Sequence, residues 1–158
     1  MIAALSDTTV LSNFTHVQRS DLLRMLFHPL YVPDSVWREL AQGMRSGLIP
    51  EADWRWLEVV VLTPDEVTLS QNFRRKLDRG EADCLAVAQS RRLPVYTDDR
   101  RARSIGRSLG LGISGTLGCL LDLVERSLLN SEEADLLLTR MREQGYRSPV
   151  ASLRDAEL

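Results

Sequence analysis

Histidine, cysteine and lysine are all scarce in this chain of 158 residues, which carries 2 histidines, 2 cysteines and Lys76 as its only lysine. His16 and His28 each follow an apolar helical pattern and have no partner at metal-ligand spacing. Cys84 and Cys119 lack CxxC or Cys/His spacing and read as small buried thiols of a reducing compartment. These shortages remove zinc sites and the Ser-His-Asp and Cys-His forms of nucleophilic catalysis. No apolar run approaches the ~20 residues of a membrane span, and the N-terminus has no basic region leading into a long apolar core. The expectation is a cytoplasmic protein without membrane contact. Repeats, linkers and low-complexity tracts are also missing, so one domain is the simplest reading.

What the chain does have is a balanced globular composition, 44% apolar and 27% charged, with a formal net charge of -2. Its cations are almost all arginine, and they crowd between Arg74 and Arg107. The planar guanidinium fork suits phosphate, although the acidic balance does not advertise a nucleic-acid binder. Solvated helix faces are the plainer explanation of the same residues.

Short apolar runs alternate with helical periods along the chain. Met1 to Ser6 reads as a buried strand, followed at Asp7 by a helix through Phe14. A second helix covers Arg19 to Phe27, with Leu22, Leu23, Leu26 and Phe27 as a stripe serving either the core or a dimer face. Leu30 to Val32 is a brief strand before a helix opened by Pro33-Asp34-Ser35. Leu57 to Leu62 is another strand, and Thr63-Pro64-Asp65-Glu66 starts a helix to about Leu77. The helix at Glu81, the strand Pro94 to Thr97, the helix Asp99 to Leu109 and a short strand near Ile113 follow. Thr116 to Leu128 and an amphipathic helix after Asn130, with Leu136, Leu137 and Met141 inward, complete the pattern. Such alternation predicts an α/β fold with a central parallel sheet covered on both faces, three layers in all. The domain is expected over 1–146, with a loosely docked tail over 147–158.

Acids collect where such a sheet places its ligands, at the carboxyl ends of the strands. Asp7 follows the first strand, and Asp98 and Asp99 follow the strand at Val95. Glu39 and Asp83 come from helix beginnings that can lean over the same edge. Glu81 and Asp83 are two apart and so do not share a helix face. Asp83 opens the small-apolar run Cys84 to Ala88 and is favoured as ligand, with Glu81 supporting it or standing in for it. Capping or pairing with arginine is the plainer role of each acid. Two carboxylates about 5 Å apart repel by roughly 3 kcal/mol at an effective dielectric near 20. Several converging acids therefore call for a cation, and all-oxygen ligation favours Mg²⁺ or Mn²⁺. Metal-assisted phosphodiester hydrolysis is the reaction that uses this equipment.

The order Asp7-Thr8-Thr9, Val36-Trp37-Arg38-Glu39-Leu40, Asp83-Cys84-Leu85-Ala86-Val87-Ala88 and Thr97-Asp98-Asp99 resembles the PIN-domain family, the VapC-like ribonucleases. Gly80-Glu81-Ala82-Asp83 and Gly115-Thr116-Leu117-Gly118 resemble one prokaryotic subgroup of it. The resemblance implies a Rossmann-like sandwich and an Mg²⁺- or Mn²⁺-dependent endoribonuclease, often the toxin of a toxin–antitoxin pair. It implies RNA as substrate, an antitoxin protein as partner and a homo-oligomer, most simply a dimer. Asp7, Glu39, Asp83 and Asp99 match the family's four acids, with Asp98 and Glu81 as further candidate ligands. Thr8, Arg100, Arg101 and Arg103 are the candidates for contact with substrate. The alternative is a catalytically silent PIN-like module that binds a protein or RNA, its acids serving as caps and surface pairs.

Overall fold

The computed structural model describes residues 1–156; the last two positions of the expected tail lie outside them. Five parallel strands form one sheet: β1 (Ile2–Ser6), β2 (Phe27–Pro33), β3 (Glu58–Val60), β4 (Val95–Tyr96) and β5 (Ile113–Ser114). Their spatial order is β3-β2-β1-β4-β5. The chain therefore winds outward from β1 in one direction and then, from β4, in the other. The crevice at that reversal lies outside the ends of β1 and β4, where Asp7 and Asp98-Asp99 emerge.

Helices α1 (Thr8–His16), α2 (Asp21–Leu26), α7 (Thr116–Glu125) and α8 (Ser131–Glu143) form one packed group. A second group is α3 (Asp34–Ser46), α4 (Pro64–Phe73) and α5 (Arg79–Arg91), while α6 (Arg100–Ser108) lies between α5 and β5. The parallel sheet flanked by helices matches the α/β expectation. In α5 every residue from Ala82 to Ala88 is buried, because small side chains let this helix lie close to β1, β2 and β4. It starts at Asp78, whose carboxylate accepts the Glu81 N–H at 2.9 Å.

Some elements differ from their sequence expectation. The strand expected over 57–62 shrinks to three residues at the edge of the sheet, leaving Val59 and Val61 exposed. Leu136 faces solvent, and α8 buries Ala134, Leu137, Leu138 and Met141 instead. Leu22, Leu23, Leu26 and Phe27 all lie in the core, so that stripe offers no dimer face. The segment after Tyr146 returns to α8: Leu153 is buried, and its N–H donates to Asp135 at 2.8 Å. No helix among the described residues is long and apolar enough to cross a membrane.

Glu66 joins α4 to α5. It closes a capping box with Thr63 and accepts two bonds, each 2.9 Å, from the Arg91 guanidinium. That guanidinium, against the cost of burial, holds the Glu66 carboxyl down at about 2. Replacing it in Glu66→Gln should cost roughly 2–3 kcal/mol, less than a fully enclosed pair because Arg91 reaches water. Because the folded value is depressed, this stability is present above pH ~4.5 and is lost as pH falls towards 2. Urea unfolding at neutral pH and in acid should show the gap between wild type and variant closing in acid; a constant gap contradicts the assignment.

Candidate active site

Asp7 ends β1 as the N-cap of α1 and is almost fully buried. Its Oδ1 accepts the Thr9 N–H at 3.0 Å and the Thr9 hydroxyl at 2.6 Å, and its Oδ2 accepts the Thr97 hydroxyl. Thr9 Oγ1 in turn accepts the Asp98 N–H at 2.9 Å, and Thr97 Oγ1 accepts the Asp99 N–H at 3.1 Å. Two threonine hydroxyls thus staple the turns after β1 and β4 together. Sequence reading passed over both; threonines beside the acids on each strand end are the signal that could have marked them.

Glu39 projects from α3 against the first turn of α5. A Cβ on Gly80 would stand 3.2 Å from Glu39 Oε2 and 3.2 Å from Val36 Cγ2, so the bare glycine brings Glu39 beside the turn that carries Glu81. Asp78, Glu81, Asp99, Lys76, Arg100 and Arg101 line a cleft of about 390 Å³. Asp78 also borders an adjoining cleft of about 350 Å³ that contains Glu39. Asp78 is an acid of the site that the sequence presented only as punctuation before a helix.

Asp83 faces elsewhere. It is buried and accepts the Ser35 hydroxyl at 2.6 Å, the Ser70 hydroxyl at 2.5 Å and the Arg74 guanidinium at 3.2 Å, with Arg79 Nε 3.7 Å away. Three of these donors come from α3, α4 and the turn just after α4, and Arg79 from the first turn of α5. The carboxylate is compensated within that helix layer, whereas Asp7, Glu39, Glu81 and Asp99 have no ion pair among the described residues. Of the two acids weighed for one role, Glu81 shares the cleft with Asp99 and Asp83 does not.

Asp98 is likewise committed. Its carboxylate accepts Asn13 Nδ2 at 2.9 Å, Thr116 N at 2.8 Å and Thr116 Oγ1 at 2.5 Å. Gly115 is the N-cap of α7 and offers no side chain, so Asp98 caps that helix from another strand. A Cβ at Gly115 would stand 2.4 Å from Asp98 Oδ1, so only glycine allows the approach. Asp99 caps α6 through Ala102 N at 2.8 Å and borders the acid cleft. Arg103 donates to Thr97 O at 2.9 Å, Arg101 to Lys76 O at 3.0 Å, and Arg100 is exposed at the cleft rim.

The electrostatics follow from burial and crowding. Burial, opposed by the two threonines and helped by Asp98, raises Asp7 from 3.8 to about 7. Burial first, then Asp78, Asp99 and Asp7, raises Glu81 from 4.5 to about 8. Glu39 is raised chiefly by burial, with Thr8 opposing and Asp78 adding to it. Thr8 Oγ1 is buried without a hydrogen-bond partner. Among the described residues, no three His, Cys, Asp or Glu side chains stand close enough to clasp one ion. The donor set nevertheless suits a hard divalent cation: all oxygen, carboxylates without an ion pair among the described residues, and a buried hydroxyl, that of Thr8, without a hydrogen-bond partner. Mg²⁺ keeps several of its waters and is commonly held by one or two carboxylates plus substrate phosphate.

No curated protein matches. The fold is similar to that of PAE2754 from Pyrobaculum aerophilum, with TM-score 0.58 and 18% identity over 78% of this chain and 90% of that one. A lower similarity, TM-score 0.46 and 22% identity, covers 63% of this chain and 88% of a chain in a toxin–antitoxin complex from Klebsiella pneumoniae. The family described as "PIN domain" matches residues 3–156. With nearly its whole length matched, the chain belongs to the PIN-domain family, whose members are generally nucleases that use divalent metals.

Proposed function

We propose that this chain is an Mg²⁺- or Mn²⁺-dependent endoribonuclease of the VapC-like kind, acting in the cytoplasm, with Asp7, Glu39, Glu81 and Asp99 as its working acids. The observation that carries the reading is that these four acids have no ion pair among the described residues, with Asp7 at the reversal point, Glu81 and Asp99 on one cleft and Glu39 on the adjoining one. Carboxylates left without an ion pair are costly in a structural site and useful in one that receives a cation and a phosphate. Asp83 then has a positioning role, joining α3, which carries Glu39, to α5, which carries Glu81.

A divalent ion in the cleft supplies Lewis acidity and neutralises charge on the phosphoryl oxygens. The chain's own residues supply the rest. Thr9 and Thr97 hold Asp7 in one orientation, and Asp99 is held by its cap on α6. Asp7 and Glu81, their carboxyls raised chiefly by burial, can in their ionised forms take the proton from an attacking water. As the new P–O bond forms, the bond to the leaving ribose oxygen breaks, and that oxygen is protonated from solvent through the open cleft. A role as toxin, an antitoxin partner and a homodimer follow from the family resemblance alone.

That no three of the acids among the described residues stand close enough to clasp one ion favours one rival, a silent PIN-like module. Single-stranded RNA incubated with the protein and Mn²⁺ separates the two. The proposal expects cleavage that EDTA abolishes, with ends free of cyclic phosphate because water is the nucleophile. Intact RNA across a panel of sequences, with Mn²⁺ present, would leave the silent module standing.

A further inference from the structure

Next to the acid clefts, α6, the start of α7 and the segment after α8 enclose a groove of about 640 Å³. Arg100, Arg103 and Arg107 line it from α6, at a spacing that puts them on one helix face, and Arg147 lines it from the segment after α8. Its one lining acid, Asp98, is already satisfied by Asn13 and Thr116. Arg103 has one nitrogen on Thr97 O. Arg100, Arg107 and Arg147 are exposed and make no ion pair among the described residues. Leu117 and the half-buried Tyr146 add apolar surface.

Guanidinium groups that outnumber the acids of a shared concavity four to one repel one another and attract anions. These are strung out, not converging: Arg100 to Arg107 spans about 10 Å of helix. A single phosphate would engage one end, whereas a chain of phosphates engages the whole row. The Tyr146 ring and Leu117 give unpaired bases a face to lie on, which a duplex could not use. Arg100 also borders the cleft of Glu81 and Asp99, so the groove and the acids are continuous.

From this geometry we infer that the groove carries the backbone of single-stranded RNA away from the phosphodiester presented to the acids, with Arg107 and Arg147 gripping flanking phosphates. The inference rests on the ribonuclease reading and extends it to residues outside the acid site. It explains how a chain of net charge -2 binds a polyanion, since the local field, not the total, meets the strand.

Fluorescence anisotropy with a labelled oligouridine of about 12 nucleotides, in EDTA so that binding is read without cleavage, tests it. The double variant R107A/R147A should bind at least ~10-fold more weakly, and its salt slope should shrink by about 1.4, at about 0.7 per lost phosphate contact. R107K/R147K, which keeps the charges, should retain most of the binding, and both variants should melt with wild type because the positions are exposed. Unchanged affinity and slope in R107A/R147A overturn the inference. So does a wild type that prefers oligoglutamate of equal charge, which would assign the groove to an acidic protein segment. Oligouridine held through the groove but never cut with Mn²⁺ removes the ribonuclease reading alone. Cleavage with Mn²⁺ by a double variant that binds like wild type removes the groove alone.

Discussion

Glu81→Gln should lower Mn²⁺-dependent RNA cleavage by about 100-fold or more while leaving the fold at least as stable as wild type. Glu81 borders the cleft of Asp78 and Asp99, its burial and their charges push its carboxyl to about 8, and it has no cationic partner among the described residues. The amide cannot ionise, so it removes the repulsion that the carboxylate form meets and replaces an anionic oxygen donor with a neutral one. Asp83→Asn should behave in the opposite way. The buried Arg74–Asp83 pair and its two serine donors would be broken, at a cost of about 2–4 kcal/mol. For a chain of this length, melting falls by roughly 2–4 °C per kcal/mol. Activity per folded molecule should then stay within a few-fold of wild type. Thermal melts with single-turnover cleavage on both variants decide the matter: an Asp83→Asn protein that melts like wild type but is inert would restore Asp83 to the site and displace Glu81.

In EDTA, the stability of the chain should fall as pH rises from about 5 to about 8. Asp7 is raised from 3.8 to about 7 when folded, so between those values the native state holds a proton that the unfolded chain has released. Stability contributed by the protonated form is complete below the unfolded value and is lost as pH climbs through the folded one. At about 1.4 kcal/mol per unit, Asp7 alone sets a ceiling near 4 kcal/mol, and Glu81 acts in the same direction. Asp7→Asn should abolish cleavage, flatten this pH profile and, at pH ~8, unfold at higher urea than wild type. Added Mn²⁺ should restore wild-type stability at pH ~8 and do little for the variant. A wild-type profile that is flat or rises over this range contradicts the buried, unpaired state of Asp7.

The fold was largely legible because its signals are local. Continuous apolar runs at Ile2–Ser6 and Val95–Tyr96, each followed by a capping aspartate, mark strand-to-helix turns wherever they occur. Less legible was which way a side chain leaves a buried helix. Glu81 and Asp83 sit two apart in α5, and only the placement of Ser35, Ser70 and Arg74 on other elements shows that Asp83 is the compensated acid. The same holds for Asp98 and Asp99, neighbours in sequence that separate once α7 offers an N-terminus without a capping side chain. Leu136 was misjudged because adjacent leucines at 136, 137 and 138 blur the helical period. Thr97 and Thr9 link chain segments that lie far apart in sequence, and no local pattern reveals such a staple.

Calorimetric titration of Mn²⁺ into the wild-type chain and into Glu81→Gln, at neutral pH in two buffers of different ionisation enthalpy, is the most direct measurement. The account predicts saturable binding to wild type, with protons released because Asp7 and Glu81 are partly protonated there, and binding at least ~10-fold weaker in the variant. No heat of binding in wild type, or identical titrations for the two proteins, would contradict it.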